Sequence, residues 1–144
     1  MNKAASSVAV PLAISVTSHA VLAACDVTLI ASGTATLEAA LFKRPMVIAY
    51  RMNRLSWWLK GRLKLQPWVG LPNILCGEFV VPEFLQDAAT PAALASAVID
   101  WLQAAESSPA KISEVQKKFT ALHVQLQRDT TQLATDAIEK ILAS

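Results

Sequence analysis

Eight residues, Ala31-Ser32-Gly33-Thr34-Ala35-Thr36-Leu37-Glu38, constrain this chain more than any other stretch. An apolar run, Val27 to Ile30, leads into them, and Leu37, Ala39, Ala40, Leu41 and Phe42 continue beyond in a helix-like segment. Apolar strand, small-residue turn and helix start, in that order, make a phosphate-binding arrangement. Gly33 lets the backbone approach a ligand closely, and small side chains leave the main-chain N–H groups uncovered. The first turn of a helix has N–H groups without internal partners and the positive end of the dipole, so a diphosphate fits there. Glu38 falls in the first or second turn, where a carboxylate accepts hydrogen bonds from ribose hydroxyls. A plainer reading uses the same residues: Thr34 or Thr36 as an ordinary N-cap. No glycine-rich fingerprint of the dinucleotide or P-loop type is present, so spacing alone favours the cap. The two readings are compatible, because one geometry makes both.

Beyond the helix, Lys43-Arg44-Pro45 supplies cations suited to a helix C-terminus and a proline that blocks continuation. Met46 to Tyr50 then reads as a buried strand. Strand, helix and strand within about 25 residues form a βαβ unit with a parallel pair. Ligands of such sheets bind beyond the carboxyl ends of the strands, which puts the Ser32–Thr36 turn and Tyr50-Arg51 on one edge.

The stretch from Arg51 to Lys64 places Leu55, Trp57, Trp58, Leu59 and Leu63 among Arg51, Arg54, Lys60, Arg62 and Lys64, with no acid. A short helix of tryptophans and cations suits a membrane interface with anionic headgroups. An amphipathic helix packing its tryptophans on the sheet is the other reading, and both stand open.

The N-terminus also reads two ways. No charge occurs from Ala4 to Cys25, and Leu22-Ala23-Ala24-Cys25 has the form of a lipoprotein cleavage site, so an exported, lipid-anchored module with Cys25 acylated is one candidate. Against it, Pro11, Ser15, Thr17, Ser18 and His19 interrupt the apolar run, and a strand follows Cys25 with no tether. A short helix over Ser18–Ala24, capped by Ser18, is the preferred reading.

Downstream, Pro67 to Leu71 is a candidate short strand, Leu71-Pro72-Asn73 a turn, and Pro82-Glu83 a helix start after Phe79-Val80-Val81. Thr90-Pro91 is a clearer start, with Leu94, Val98, Ile99 and Leu102 at helical spacing to about Ala105. Ser107-Ser108-Pro109 separates this from a last helical region carrying Ile112, Val115, Phe119, Leu122 and Leu126. Asp129-Thr130-Thr131 breaks that region before Leu133, Ala137, Ile138 and Ile141. The 144 residues suffice for one domain with a core, and a chain 53% hydrophobic and 17% charged is not disordered. A net charge of +2 implies no nucleic-acid partner. Cys25 and Cys76 lack a CxxC or Cys/His context and suit a reducing compartment, while His19 and His123 show no metal-ligand pattern.

Several segments, in this order, resemble the C-terminal part of lipid-A-disaccharide synthase. They are Ala24-Cys25-Asp26, Ala31 through Leu41, Lys43-Arg44-Pro45-Met46-Val47, Ala49-Tyr50-Arg51, Leu71-Pro72-Asn73 and Val81-Pro82-Glu83-Phe84-Leu85-Gln86. The likeness runs from about Ser18 to the end and leaves residues 1–17 unmatched. A truncated peptidoglycan glucosaminyl transferase is the nearest enzymatic rival, sharing a Gly-Thr-rich turn followed by Glu. The Tyr50-Arg51 and Leu71-Pro72-Asn73 segments favour the lipid enzyme.

The resemblance implies an α/β fold: a partial Rossmann-like parallel sheet from the C-terminal domain of a GT-B glycosyltransferase, with C-terminal helices. The expected division is 18–105 for the nucleotide-sugar part and 106–144 for a helical segment. It implies an inverting, metal-independent transfer of diacylglucosamine from UDP-diacylglucosamine to a diacylglucosamine phosphate, with no cofactor. Ser32, Gly33, Thr34, Ala35 and Thr36 would line the diphosphate, Glu38 the ribose, and Arg51 and Asn73 would lie near the donor. The expected place of action is the cytoplasmic face of the inner membrane, with Trp57, Trp58, Lys60 and Arg62 against anionic lipid; a homodimer is left open. The family's N-terminal domain supplies acceptor binding and the general base. Without it, this chain is expected to bind UDP weakly and to turn over little.

Overall fold

In the computed structural model, which describes residues 10–31, 33–53, 67–127 and 130–142, the apolar runs become three parallel strands. They are β1 (Thr28–Ala31), β2 (Met46–Tyr50) and β3 (Glu83–Leu85), in the order β1-β2-β3. Thr28 stands opposite Met46 and Ala31 opposite Ala49, while Ile48 stands opposite Glu83 and Tyr50 opposite Leu85. The strands are short and apolar because helices cover both faces of β2, where Met46, Val47 and Ile48 are all fully buried.

Six α-helices lie among the described residues. Helix α1 (Ser18–Ala24) has the expected range, but Thr17 holds the cap position and Ser18 is the first helical residue. Leu22 reaches the core, and Arg44 clasps the helix end through Nε to the Leu22 carbonyl and Nη2 to the Ala23 carbonyl. Helix α2 (Thr34–Leu41) buries Thr36, Ala39 and Ala40. Lys43, in a left-handed conformation at φ 57, ends it and returns its ammonium to the Leu41 carbonyl at 2.8 Å. That is the cation at a helix C-terminus which the sequence suggests.

Three expectations fail between residues 67 and 85. No strand forms over Pro67–Leu71, the Leu71-Pro72-Asn73 turn is the start of helix α3 (Leu71–Cys76), and Pro82-Glu83 opens strand β3 rather than a helix. One residue explains all three. The Glu83 carboxylate accepts the Val69 N–H (2.8 Å) and Gly70 N–H (2.9 Å), which takes two of the donors this backbone would offer a sheet just before it turns into α3. Pro82, just ahead of β3, gives its carbonyl to the Ile48 N–H at 2.9 Å, and its missing N–H costs little at an edge strand.

A 3-10 turn (Gln86–Ala88) leads to α4 (Pro91–Ser107), whose Thr90 cap accepts the Ala93 N–H at 3.2 Å. Helix α5 (Pro109–Leu126) packs back on α4, and α6 (Thr130–Leu142) takes in Thr130 and Thr131, which the sequence reading places in a break. Val115, Phe119 and Leu122 of α5 are buried as their spacing suggests, whereas Leu126 is exposed. On α4 the inward face is rotated from expectation. Ala97, Trp101 and Ala104 are buried, Leu94 and Val98 half-buried, and Ile99 and Leu102 exposed. Trp101 is the largest side chain on that buried face, and Lys111 Nζ stands 4.4 Å from its ring centroid.

Candidate nucleotide-sugar site

The register brings the carboxyl ends of all three strands to one edge. Gly33 follows β1, Arg51 follows β2, and Gln86 follows β3. Parallel α/β sheets bind ligands at this edge, because helix N-termini and strand-end loops converge there.

Gly33 occupies the N-cap of α2 with φ 135 and ψ −164, a region essentially restricted to glycine. A Cβ built there would meet nothing within 4 Å, so the space over this turn is open. Neither Thr34 nor Thr36 caps the helix through its side chain. Thr36 is fully buried and donates from Oγ1 to the Gly33 carbonyl at 2.7 Å, while its own N–H reaches the same carbonyl at 3.1 Å. Both bonds lock the turn from beneath. Thr34 and Ala35 are exposed, and as the first two helical residues their N–H groups have no partner in the helix. Ser32 lies outside the described residues. The first turn therefore offers main-chain donors and a helix dipole toward open space.

Glu38 is half-buried one turn further in, and its carboxylate has no ion pair or hydrogen bond among the described residues. Arg51 is exposed and stands 3.6 Å from Asp87, itself exposed, a pair of little energetic weight. Trp57, Trp58, Lys60 and Arg62 lie within 54–66, outside the described residues.

Asn73 is elsewhere in character. It is fully buried, and all four of its hydrogen-bonding positions are used by the chain itself. Nδ2 donates to the Val81 carbonyl and to Glu83 Oε1, both at 2.8 Å; Oδ1 accepts the Val80 N–H at 2.8 Å and the Val81 N–H at 3.0 Å. Those four bonds commit the whole amide to the chain's own groups. With Glu83 it forms a latch that joins α3 to β3 and so sets where Gln86 leaves the sheet. Gly70 belongs to the same latch: a Cβ there would sit 2.3 Å from Ile48 Cδ1 and 2.9 Å from Glu83 Oε1. Sequence reading missed Glu83 and Gly70, because a Glu after Pro looks like a helix first turn and a lone Gly looks like a loop.

Cys25 closes α1, its Sγ 3.5 Å from the Leu22 carbonyl and packed on the core cluster. Among the described residues no helix is long and apolar enough to cross a membrane, and no cluster of three His, Cys, Asp or Glu side chains could hold a metal.

A parallel sheet flanked by helices, with an open glycine turn at its carboxyl edge, defines a partial Rossmann-like α/β domain. Comparison with known proteins narrows this. The family described as lipid-A-disaccharide synthetase matches residues 3–138, starting inside the 1–17 stretch that the sequence motifs leave unmatched. The lipid-A-disaccharide synthase of Albidiferax ferrireducens is 72% identical over 125 residues, 87% of this chain and 32% of that protein. That of Verminephrobacter eiseniae is 69% identical over 126 residues, 88% of this chain and 32% of the relative. That of Dechloromonas aromatica is 50% identical over 121 residues, 84% and 31% of the two chains. The chain belongs to the lipid-A-disaccharide synthase family, glycosyltransferases of lipid A biosynthesis, and spans about a third of the length of these curated relatives.

Proposed function

We propose that this chain carries the donor-nucleotide part of a site that moves diacylglucosamine from UDP-diacylglucosamine to a diacylglucosamine 1-phosphate, releasing UDP. The observation that carries this reading is the open Gly33 turn at the head of α2, in a chain of this family. In an inverting displacement the acceptor hydroxyl attacks the anomeric carbon as the bond to the β-phosphate oxygen breaks, so charge builds on the departing diphosphate. Main-chain N–H groups of Thr34 and Ala35, fixed before the reaction begins, stabilise that charge, and losing one such donor typically costs about 3–4 kcal/mol in the transition state. Glu38, unpaired and a turn away, holds the ribose hydroxyls, and Arg51 balances charge from the neighbouring strand end. Ser32 would add to the diphosphate cradle.

Deprotonating the acceptor requires a base. No described carboxylate at this edge has that assignment: Glu38 serves the ribose and Asp87 faces Arg51. We infer that the base and the acceptor pocket come from the portion of the relatives that this chain does not span. Both substrates keep their acyl chains in a bilayer, so the reaction belongs on the cytoplasmic surface of the inner membrane. Trp57, Trp58, Lys60 and Arg62 are the residues proposed to meet anionic headgroups there.

Calorimetric titration with UDP is the test. The chain should bind UDP weakly, and Gly33→Ala and Glu38→Ala should each weaken that binding further. No binding by the unaltered chain, or equal binding by all three, would remove the reading. Disaccharide formed by these 144 residues alone would refute the divided site.

A further inference from the structure

Gln86 departs from ordinary behaviour twice. Its backbone is left-handed at φ 54, a conformation that costs a side-chain-bearing residue free energy. Its Nε2 is also buried without any hydrogen-bond partner, the one such side-chain atom among the described residues. Buried amides left unpaired are rare because water's hydrogen bonds have been given up for nothing.

The amide's orientation follows from its neighbour. Oε1 accepts the Met52 N–H at 3.3 Å, tying the exit of β3 to the exit of β2. An atom facing an N–H must be the oxygen, so Nε2 and its two hydrogens point the other way. The residue follows β3 directly at the carboxyl edge and is followed by Asp87, the partner of Arg51. Two strand spacings, about 10 Å, separate it from the turn after β1, roughly the reach from a diphosphate to the sugar of a nucleotide sugar.

We propose that Gln86 is a donor-binding residue: its Nε2 hydrogen-bonds an oxygen of the bound nucleotide sugar, completing the amide that the free protein leaves unpaired. The assignment rests on the nucleotide-sugar reading above and adds a residue to it. A purely structural Gln86 would need only its Oε1 tie to Met52. It would gain nothing from holding two donors away from both protein and water.

The test separates these roles with two variants and two soluble probes, UDP and UDP-N-acetylglucosamine, titrated calorimetrically against the full chain. Gln86→Glu keeps an oxygen toward the Met52 N–H but replaces the donors with an acceptor. Gln86→Asn tolerates the left-handed backbone better and draws the amide back by one methylene. Both should lose roughly tenfold or more in affinity for at least one probe. Gln86→Asn should meanwhile melt no lower than the unaltered chain. A loss confined to the sugar-bearing probe assigns the hexose, and an equal loss for both assigns the nucleotide or diphosphate; either supports the proposal. Unchanged affinity of Gln86→Asn for both probes would overturn it and leave the donor site standing. If the unaltered chain binds neither probe, the donor site and Gln86's part in it fall together.

Discussion

Replacing Asn73 tests the architecture behind the site most directly. Truncation to alanine leaves the Val80 and Val81 N–H groups and the Val81 carbonyl buried without partners, and removes one of three donors from the Glu83 carboxylate. Each unsatisfied buried group costs about 1–3 kcal/mol. A water entering the vacated volume recovers part of that sum, so the expected loss is about 3–5 kcal/mol. Against the roughly 5–15 kcal/mol that hold a domain together, this is a large fraction. With a urea slope of about 1–3 kcal/mol per molar, the unfolding midpoint should fall by about 2 M. Asn73→Asp sharpens the argument, since it keeps the shape. Its second oxygen would face the Val81 carbonyl and Glu83 Oε1 at the 2.8 Å now spanned by donated hydrogens. At neutral pH it should therefore be at least as destabilised as the alanine variant. The new carboxyl's pKa would be raised in the folded state, so its stability is present at acid pH and lost as pH rises through that value. Urea unfolding followed by tryptophan fluorescence at pH 5 and pH 7 measures both effects. An alanine variant no less stable than the surface control Asp87→Ala would refute the latch, and an aspartate variant stronger than alanine at pH 7 would refute the polarity argument.

Other outcomes follow from the same geometry. Gly70→Ala must push a methyl into Ile48 and Glu83, both held in place, and should cost about 1–3 kcal/mol; an unchanged melting temperature would contradict the packing described. Phe119→Ala empties the largest fully buried side chain among the described residues and should cost about 3–5 kcal/mol in urea unfolding. Burial first, and the nearby Glu78 carboxylate second, push the Cys76 thiol pKa above its ordinary value, with Lys118 opposing. Iodoacetamide at pH 8 should thus modify Cys76 more slowly in the folded chain than in urea, and Glu78→Gln should narrow the difference. Because the folded pKa is the raised one, the stability linked to this thiol is present below the unfolded value and declines as pH climbs through the folded value.

Elements whose signals are local are legible in the amino-acid sequence. The Val27–Ile30 and Met46–Tyr50 strands, the Ser18–Ala24 helix and the Thr90 cap depend on short apolar runs and on side chains acting two or three residues away. The parallel pairing of β1 with β2 follows from the length of their connection, and it places the Gly33 turn beside Arg51. Failures cluster where a residue is decided by a distant partner or by the exact position of a turn. Thr36 has the composition of a cap, but Gly33 holds that position and leaves Thr36 beneath it.

The amino-acid order alone determined a parallel α/β chain with a small-residue turn opening a helix, because hydrophobic periodicity and glycine's freedom act within one turn or one strand. Tertiary structure decided what Asn73, Glu83 and Gln86 do. Glu83 gives its carboxylate to two N–H groups thirteen and fourteen positions earlier, and the Asn73 amide is committed to four polar groups that the fold brings to it. Polar groups removed from water must be satisfied by whatever the fold brings within about 3 Å, and no local pattern encodes that neighbour.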